Sequence, residues 1–240
     1  MCTLSWCCRD DGYALWFNRD ERHTRSAEVP PAEYETDGVR WLAPMDPDSG
    51  GTWLMANEHG LTVALLNDYG IAWEPGDEPP RESRGRLVPL TCSSREAREA
   101  TAVIEETVLG HTPPFELIAV DARGGASRLH WDGLSSRLTH GVRVRPPFIS
   151  SSFDTAAVVA ARRSGFPKMA DEQALSAFHH SHDAATAAQS VNMSRPDAAT
   201  RSICYINTCA EWVTLDYEPQ CWPGAPRVAG SSQRHRLPRG

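Results

Sequence analysis

The second residue of the chain is a cysteine, in the opening stretch Met1-Cys2-Thr3-Leu4-Ser5-Trp6-Cys7-Cys8. Removal of Met1, which a residue as small as cysteine permits, gives Cys2 both a thiol and a free α-amine. A free thiol titrates at about 8.5 and an α-amine at about 7.7–8.0. The amine can therefore take the thiol proton, directly or through water, as a built-in general base. That pair can perform nucleophilic acyl transfer without a histidine. The competing reading is a strand that happens to contain cysteine.

A second cluster follows in "FNRDERHTR", where Asn18, Arg19, Asp20 and Glu21 end another run of strand character. A guanidinium near a thiol favours the thiolate. A carboxylate can hold an ammonium by a charge-assisted hydrogen bond. By residue type alone the same stretch is also a solvated turn with a Glu/Arg surface network.

These side chains need elements to position them. "CTLSWCC" and "YALWFN" flank the tight turn "RDDG" and read as a hairpin, which puts Arg19 and Asp20 beside Cys2. "GVRWLAP" follows a loop rich in Pro and Glu. "GTWLMAN" and "LTVALLN", joined by Glu58-His59-Gly60, read as a second hairpin whose nearly continuous apolar second run is buried on both faces. The Pro-, Gly- and charge-dense segment from Gly70 to Arg86 is a long loop and, directly after Asn67, a candidate lid. "SSREAREATAVIEETVLG" predicts a helix capped by Ser93 or Ser94, with Ala100, Val103, Ile104 and Val108 as its apolar stripe. "FELIAVDA", "ASRLHW" and "RLTHGVRV" resume the strands. "PPFISSSFDTAAVVAARR" runs from a strand into a helix with Asp154 at its N-cap, and "DEQALSAFHHSH" is a short amphipathic helix. "TRSICYIN" and "EWVTLDY" form a last hairpin. From Pro226 onward no apolar period remains, which predicts a single domain over 1–225 and a disordered tail over 226–240. Roughly ten short strands and three helices in this order favour antiparallel sheets with helices packed outside them.

Composition narrows the function classes. A net charge of −7 argues against nucleic acid or an anionic membrane surface, both of which select basic patches. No apolar run is long enough to span a bilayer. Trp6, Arg9, Asp10 and Asp11 break any secretory h-region, so a cytoplasmic location is expected. Seven cysteines, an odd number with no C-x-x-C, argue for reduced thiols over a disulfide framework or zinc knuckle.

The ordered set "MCT", "FNRDE", "GGTWLMANEHG", "LLNDYG", "SRGRLVPL" and "SSSFD" resembles the NRDE family, also called the transport and Golgi organisation 2 (TANGO2) family, up to about Tyr217. That family is similar to the N-terminal-nucleophile hydrolases of the cholylglycine hydrolase and penicillin V acylase type. The resemblance implies an α+β fold, a four-layer αββα sandwich of two mostly antiparallel sheets. It implies a cysteine amidohydrolase of a small apolar acyl amide or thioester, with Cys2 as nucleophile, Arg19 beside the thiol and Asp20 on the amine. Asn67 would supply an oxyanion donor, and Arg201 the late site arginine, with Arg195 as its competitor. Asn18, Trp53 and Ser151 are the substrate-binding candidates. Ser150-Ser151-Ser152 stands where those hydrolases carry a second asparagine. Relatives are also implicated in secretory-pathway organisation, haem movement and acyl-CoA metabolism, so the alternative is a non-catalytic carrier of haem or an acyl-lipid.

Other signals are weaker. His179, His182 and Asp183 fall on one helix face at metal-ligand spacing, but no second cluster completes a site, and a polar helix end is the better reading. No C-x-x-C-H marks haem attachment. No metal and no cofactor are expected. Gly50-Gly51 suits either a close backbone approach to a ligand or a turn with positive φ.

Overall fold

The computed structural model describes residues 2–74, 83–107, 109–110, 112–225 and 232–240. The chain begins with a hairpin of β1 (Cys2–Arg9) and β2 (Gly12–Arg22) around Asp10-Asp11. Gly12 has φ +154°, and a Cβ there would lie 2.0 Å from the Thr208 carbonyl oxygen, so only glycine closes this turn against its neighbour.

Seven strands then pair in chain order as an antiparallel meander: β3 (Val29–Thr36), β4 (Val39–Met45), β5 (Leu54–Asn57), β6 (Thr62–Asn67), β7 (Phe115–Val120), β8 (Ala126–Trp131) and β9 (Ser136–His140). The chain returns through β10 (Phe148–Ser150), β11 (Ala198–Thr208), β12 (Trp212–Pro219) and β13 (Gln233–Pro238). These join the first hairpin in a second antiparallel sheet of order β10-β1-β2-β11-β12-β13. The nucleophile candidate therefore opens an internal strand, flanked by Arg19 on β2 and Ser150 on β10.

Alternation along the strands builds the layers. Leu4, Trp6, Leu15 and Phe17 of one sheet meet Leu54, Ala64, Leu66 and Ile118 of the other in the inter-sheet core. A fully buried side chain of this kind contributes about 1.5–3 kcal/mol. On the far side of the meander sheet, Ala100 and Ile104 of helix α1 (Ala97–Glu105) pack with Val63, Leu65 and Leu117. β6 is thus buried on both faces, as its apolar run predicts. On the far side of the other sheet, Leu175 of α3 (Glu172–His180) packs on Ala14, Trp16 and Ile203, while α2 (Thr155–Gly165) lies beside β10. The four-layer α+β sandwich is the observed architecture.

Three expectations are corrected. The Pro- and Glu-rich segment before β4 is an edge strand, β3, with Pro30 and Pro31 where its register shifts between Val29 and Ala32. Proline removes a ladder donor, and an edge tolerates that loss. The C-terminal segment carries β13 where a disordered tail is expected. Leu237 is fully buried, Arg234 pairs with Asp216, and Arg236 stacks 3.3 Å over Trp212. One buried apolar residue among charged neighbours leaves no period to read. Helix α1 has no serine cap: the Asp121 carboxylate from the β7–β8 turn accepts from the Ala97 N–H at 3.1 Å. Val108 and the lid segment 75–82 lie outside the described residues. Among the described residues no helix is long and apolar enough to cross a membrane.

Candidate active site

Cys2, Leu4 and Trp6 face the inter-sheet layer, and Thr3 and Ser5 face the helices. At the open end of the layer, Cys2 lines a cavity of about 160 Å³ together with Arg19, Asp20, Trp53 and Asn67. Five residues singled out from the sequence thus share one hollow. A larger hollow of about 570 Å³ lies over the outer face of β11–β13 and includes no cysteine.

The thiol is buried, and burial pushes it up to about 11, with the terminal ammonium and then Arg19 pulling against the shift and Asp20 and Glu21 adding to it. Arg19 does not spend its charge on the thiol alone. It donates to Glu28 at 2.6 Å, lies 3.4 Å from Glu21 and 3.6 Å from Asp46, and stacks 4.3 Å over the Trp53 ring. Burial works against the guanidinium charge, but these carboxylates outweigh it and raise its pKa. Glu28 also accepts from Tyr217 Oη at 2.8 Å.

Asp20 is held from both sides. Its carboxylate accepts from Arg162 Nη2 at 2.9 Å and from Thr200 Oγ1 at 2.7 Å, and Arg162 Nη1 donates to Thr3 Oγ1 at 2.6 Å. Asn67 ends β6. Its Nδ2 donates to Tyr69 Oη at 3.0 Å, and its backbone carbonyl accepts from Ser150 Oγ, which ties the ends of the two sheets together.

The structure moves the remaining candidates elsewhere. Asn18 is not a substrate-binding residue: its side chain faces the helices and is spent on the His179 and Val191 carbonyls, at 2.9 and 3.1 Å, and on His179 Nδ1 at 2.6 Å. Ser151 lines a neighbouring cavity of about 170 Å³, which shares Asn67 as a wall, and bonds the Phe153 backbone. Arg201 is the extra residue of a bulge between Thr200 and Ser202. It is fully buried within electrostatic reach of Glu28 and Arg19, but it does not line the cavity. Arg195 pairs with Asp197 and stacks 4.5 Å over Phe153, so neither late arginine reaches the hollow. His179 is buried under β1, His182 bonds the Asn192 carbonyl and Asp183 caps a turn, and no metal-binding group occurs among the described residues. Arg19, Asp20, Glu21, Arg25, Asp46 and Arg84 line the wall of the hollow beside Trp53 and Leu65, so the wall is largely charged.

Two structural supports escaped the sequence reading. Glu28 sits in a Pro-rich stretch with nothing to mark it. Arg162 reads as a basic helix end, although its i, i+4 spacing from buried Val158 was a usable signal.

The family model for transport and Golgi organisation 2 matches residues 1–195. The chain belongs to the TANGO2 family. The match stops before β11, so Arg201 falls outside it. Among curated proteins none matches the sequence. Solved structures superpose on this TANGO2-family chain over most of its length. Penicillin V acylase from Agrobacterium tumefaciens superposes with a TM-score of 0.58 at 16% identity, covering 93% of this chain and 84% of that one. The C2A mutant of conjugated bile acid hydrolase from Clostridium perfringens gives 0.56 at 11%, covering 99% and 92%. The Caenorhabditis elegans ortholog of N-acylethanolamine-hydrolyzing acid amidase gives 0.56 at 9%, covering 86% and 92%. At these identities the likeness establishes the fold.

Proposed function

We propose that this TANGO2-family chain is an N-terminal-cysteine amidohydrolase that cleaves a small acyl amide or thioester once Met1 has been removed. One observation carries the reading: Cys2 opens an internal strand and lines a cavity with Arg19, Asp20 and Asn67. Cys2 Sγ attacks the acyl carbon while its own α-amine takes the thiol proton. The Asn67 amide and nearby backbone N–H groups stabilise the oxyanion, and one such donor is worth about 2.7–4 kcal/mol of barrier. Collapse breaks the C–N or C–S bond, the ammonium returns the proton to the leaving group, and a thioester remains on Cys2. Water then attacks that thioester, releasing the acid and restoring the thiol.

The cavity of about 160 Å³ lies below the roughly 300–1,000 Å³ of pockets for drug-sized ligands. Its size and charged wall favour a short acyl group over haem or an acyl-lipid, the cargo of the non-catalytic alternative. All seven cysteines are free thiols, in keeping with a reducing compartment such as the cytoplasm.

The test is a panel of N-acyl amides and acyl thioesters assayed with wild type and Cys2→Ala, with intact-mass analysis of the purified protein. Hydrolysis by wild type that disappears in Cys2→Ala, with Met1 absent, supports the reading. Hydrolysis that survives the substitution, or a mature chain that keeps Met1, overturns it.

A further inference from the structure

The "SRGR" segment, Ser83 to Arg86, has no part in the acyl-transfer steps, yet the fold places it against the cavity with unusual care. Arg84–Arg86 form a single 3-10 turn, and the Ser83 side chain accepts from the Gly85 N–H. The Thr52 N–H donates to the Gly85 carbonyl at 2.9 Å. A Cβ on Gly51 would lie 2.5 Å from the Gly85 carbonyl carbon and 2.8 Å from the Arg86 nitrogen. The two glycine-containing motifs, "GGTW" and "SRGR", are thus one backbone-on-backbone contact, and its product is the position of Arg84.

Arg84 lines the same hollow as Cys2. Its Nη1 donates to the Pro114 carbonyl at 2.8 Å, which fixes the plane of the guanidinium. The other cavity-lining arginines are already satisfied. Arg19 is shared among Glu28, Glu21 and Asp46, and Arg25 among Asp46, Glu21 and Asp48. Among the described residues Arg84 alone of the three has no carboxylate partner. Burial lowers its pKa, and only Tyr69 pulls the other way. A half-buried, oriented guanidinium without an internal anion is a bidentate receptor for a planar anion.

We infer that Arg84 binds a carboxylate on the substrate, so that the acyl amide or thioester cleaved by Cys2 is an anionic one. This rests on the hydrolase reading above and names its substrate class. The carboxylate has two sources: the leaving group, as in an N-acyl amino acid, or the acyl group, as in the monoamide of a short dicarboxylic acid. Recognition is the same chemistry in both.

Each source is tested with matched substrate pairs, the free carboxylate against its neutral methyl amide, on wild type, Arg84→Gln and Arg84→Lys. A charge-assisted hydrogen bond predicts a preference of about ten- to a hundredfold in kcat/KM for the carboxylate in wild type. The ratio should fall to near one in Arg84→Gln and recover in part in Arg84→Lys. The pair that shows the preference identifies the source. No preference in either pair, or a preference that Arg84→Gln retains, overturns the inference while leaving the hydrolase reading intact. A second readout does not need turnover: calorimetric binding of the free N-acyl amino acids and dicarboxylic monoamides to Cys2→Ala, with and without Arg84→Gln. Binding lost on Arg84→Gln supports the anion site even if wild type hydrolyses nothing. Absence of binding in both proteins overturns it.

Discussion

His179 gives the fold a pH dependence whose size follows from its surroundings. The imidazole is fully buried between α3 and the β1–β2 hairpin. Its Nδ1 meets Asn18 Oδ1 at 2.6 Å and its Nε2 meets Ser5 Oγ at 2.7 Å. The Asn18 amide nitrogen is occupied by two carbonyls, so Oδ1 accepts and Nδ1 carries the hydrogen. In the neutral ring Nε2 then accepts from the Ser5 hydroxyl. Protonation would put a second donor opposite that hydroxyl, in a site where burial, His180 and Arg162 all disfavour positive charge and hold the pKa well below 6.5. A histidine depressed in the folded state is protonated first in the unfolded chain. Its contribution is therefore complete above about pH 6.5 and is lost as pH falls. At about 1.4 kcal/mol per unit below the unfolded value near 6.5, the loss between pH 7.5 and 5.0 is at most about 2 kcal/mol. For a urea slope near 2 kcal/mol/M the midpoint drops by at most about 1 M. The assay is urea unfolding of wild type and His179→Gln across that range. The variant loses about 1–3 kcal/mol at pH 7.5 from its broken hydrogen bonds, but its profile is flatter by up to the same 2 kcal/mol, so the two proteins converge toward pH 5.0. Comparing the two cancels the opposite contribution of His180, whose raised pKa adds stability as pH falls. An equal pH dependence of the midpoint in the two proteins refutes the reasoning.

Two further predictions concern the site and the terminal strand. Glu28→Gln removes the nearest counter-charge of buried Arg19, leaving Glu21 and Asp46 farther off, and should cost about 3 kcal/mol in the urea midpoint. It also leaves more positive potential beside Cys2, so alkylation of that thiol should quicken by up to about tenfold. Buried Cys92 serves as the internal control for opening of the fold, and a Cys2 rate unchanged relative to Cys92 would defeat the argument. Leu237→Ala empties a fully buried position on β13 and should cost about 2–5 kcal/mol. A change within about 0.5 kcal/mol would mean that the strand is dispensable to the core.

What could be read from the sequence follows from range. The β1–β2 hairpin, the doubly buried β6 and the Asp154 cap are local patterns of alternation, apolar run and capping residue. The placing of Arg19 beside Cys2 was legible because the hairpin sets the two opposite each other by register alone, whereas Asn67 was legible only through the family resemblance. Asn18 was misassigned for the same local reason. It neighbours Arg19 in sequence, but strand alternation sends it to the other face, where His179 of α3 and the Val191 carbonyl take its hydrogen bonds. β3 and β13 are edge strands with weak composition, stabilised by a partner strand that no local window contains. Arg162 and Glu28 meet Asp20 and Arg19 only after the sheets and helices have assembled.

The electrostatics of the cavity then decide which group takes the thiol proton. Burial holds the Cys2 thiol up, near 11, in the chain that still carries Met1, so the resting thiol is protonated at pH 7. Arg19 does not offset that burial, because its charge is divided among Glu28, Glu21 and Asp46. The proton must therefore leave during the attack itself, to a base within hydrogen-bond reach. None of the described residues lining the cavity is a histidine. Glu21 and Asp46 are engaged with Arg19 and Arg25, and Asp20 accepts from Arg162 and Thr200. What remains is the α-amine that Cys2 gains when Met1 is cleaved, attached to the nucleophile's own α-carbon and so needing no second element to deliver it. In the proposed reaction, the burial that keeps the resting thiol protonated leaves that one amine as its base, which ties the chemistry to the processing of the chain rather than to any distant side chain.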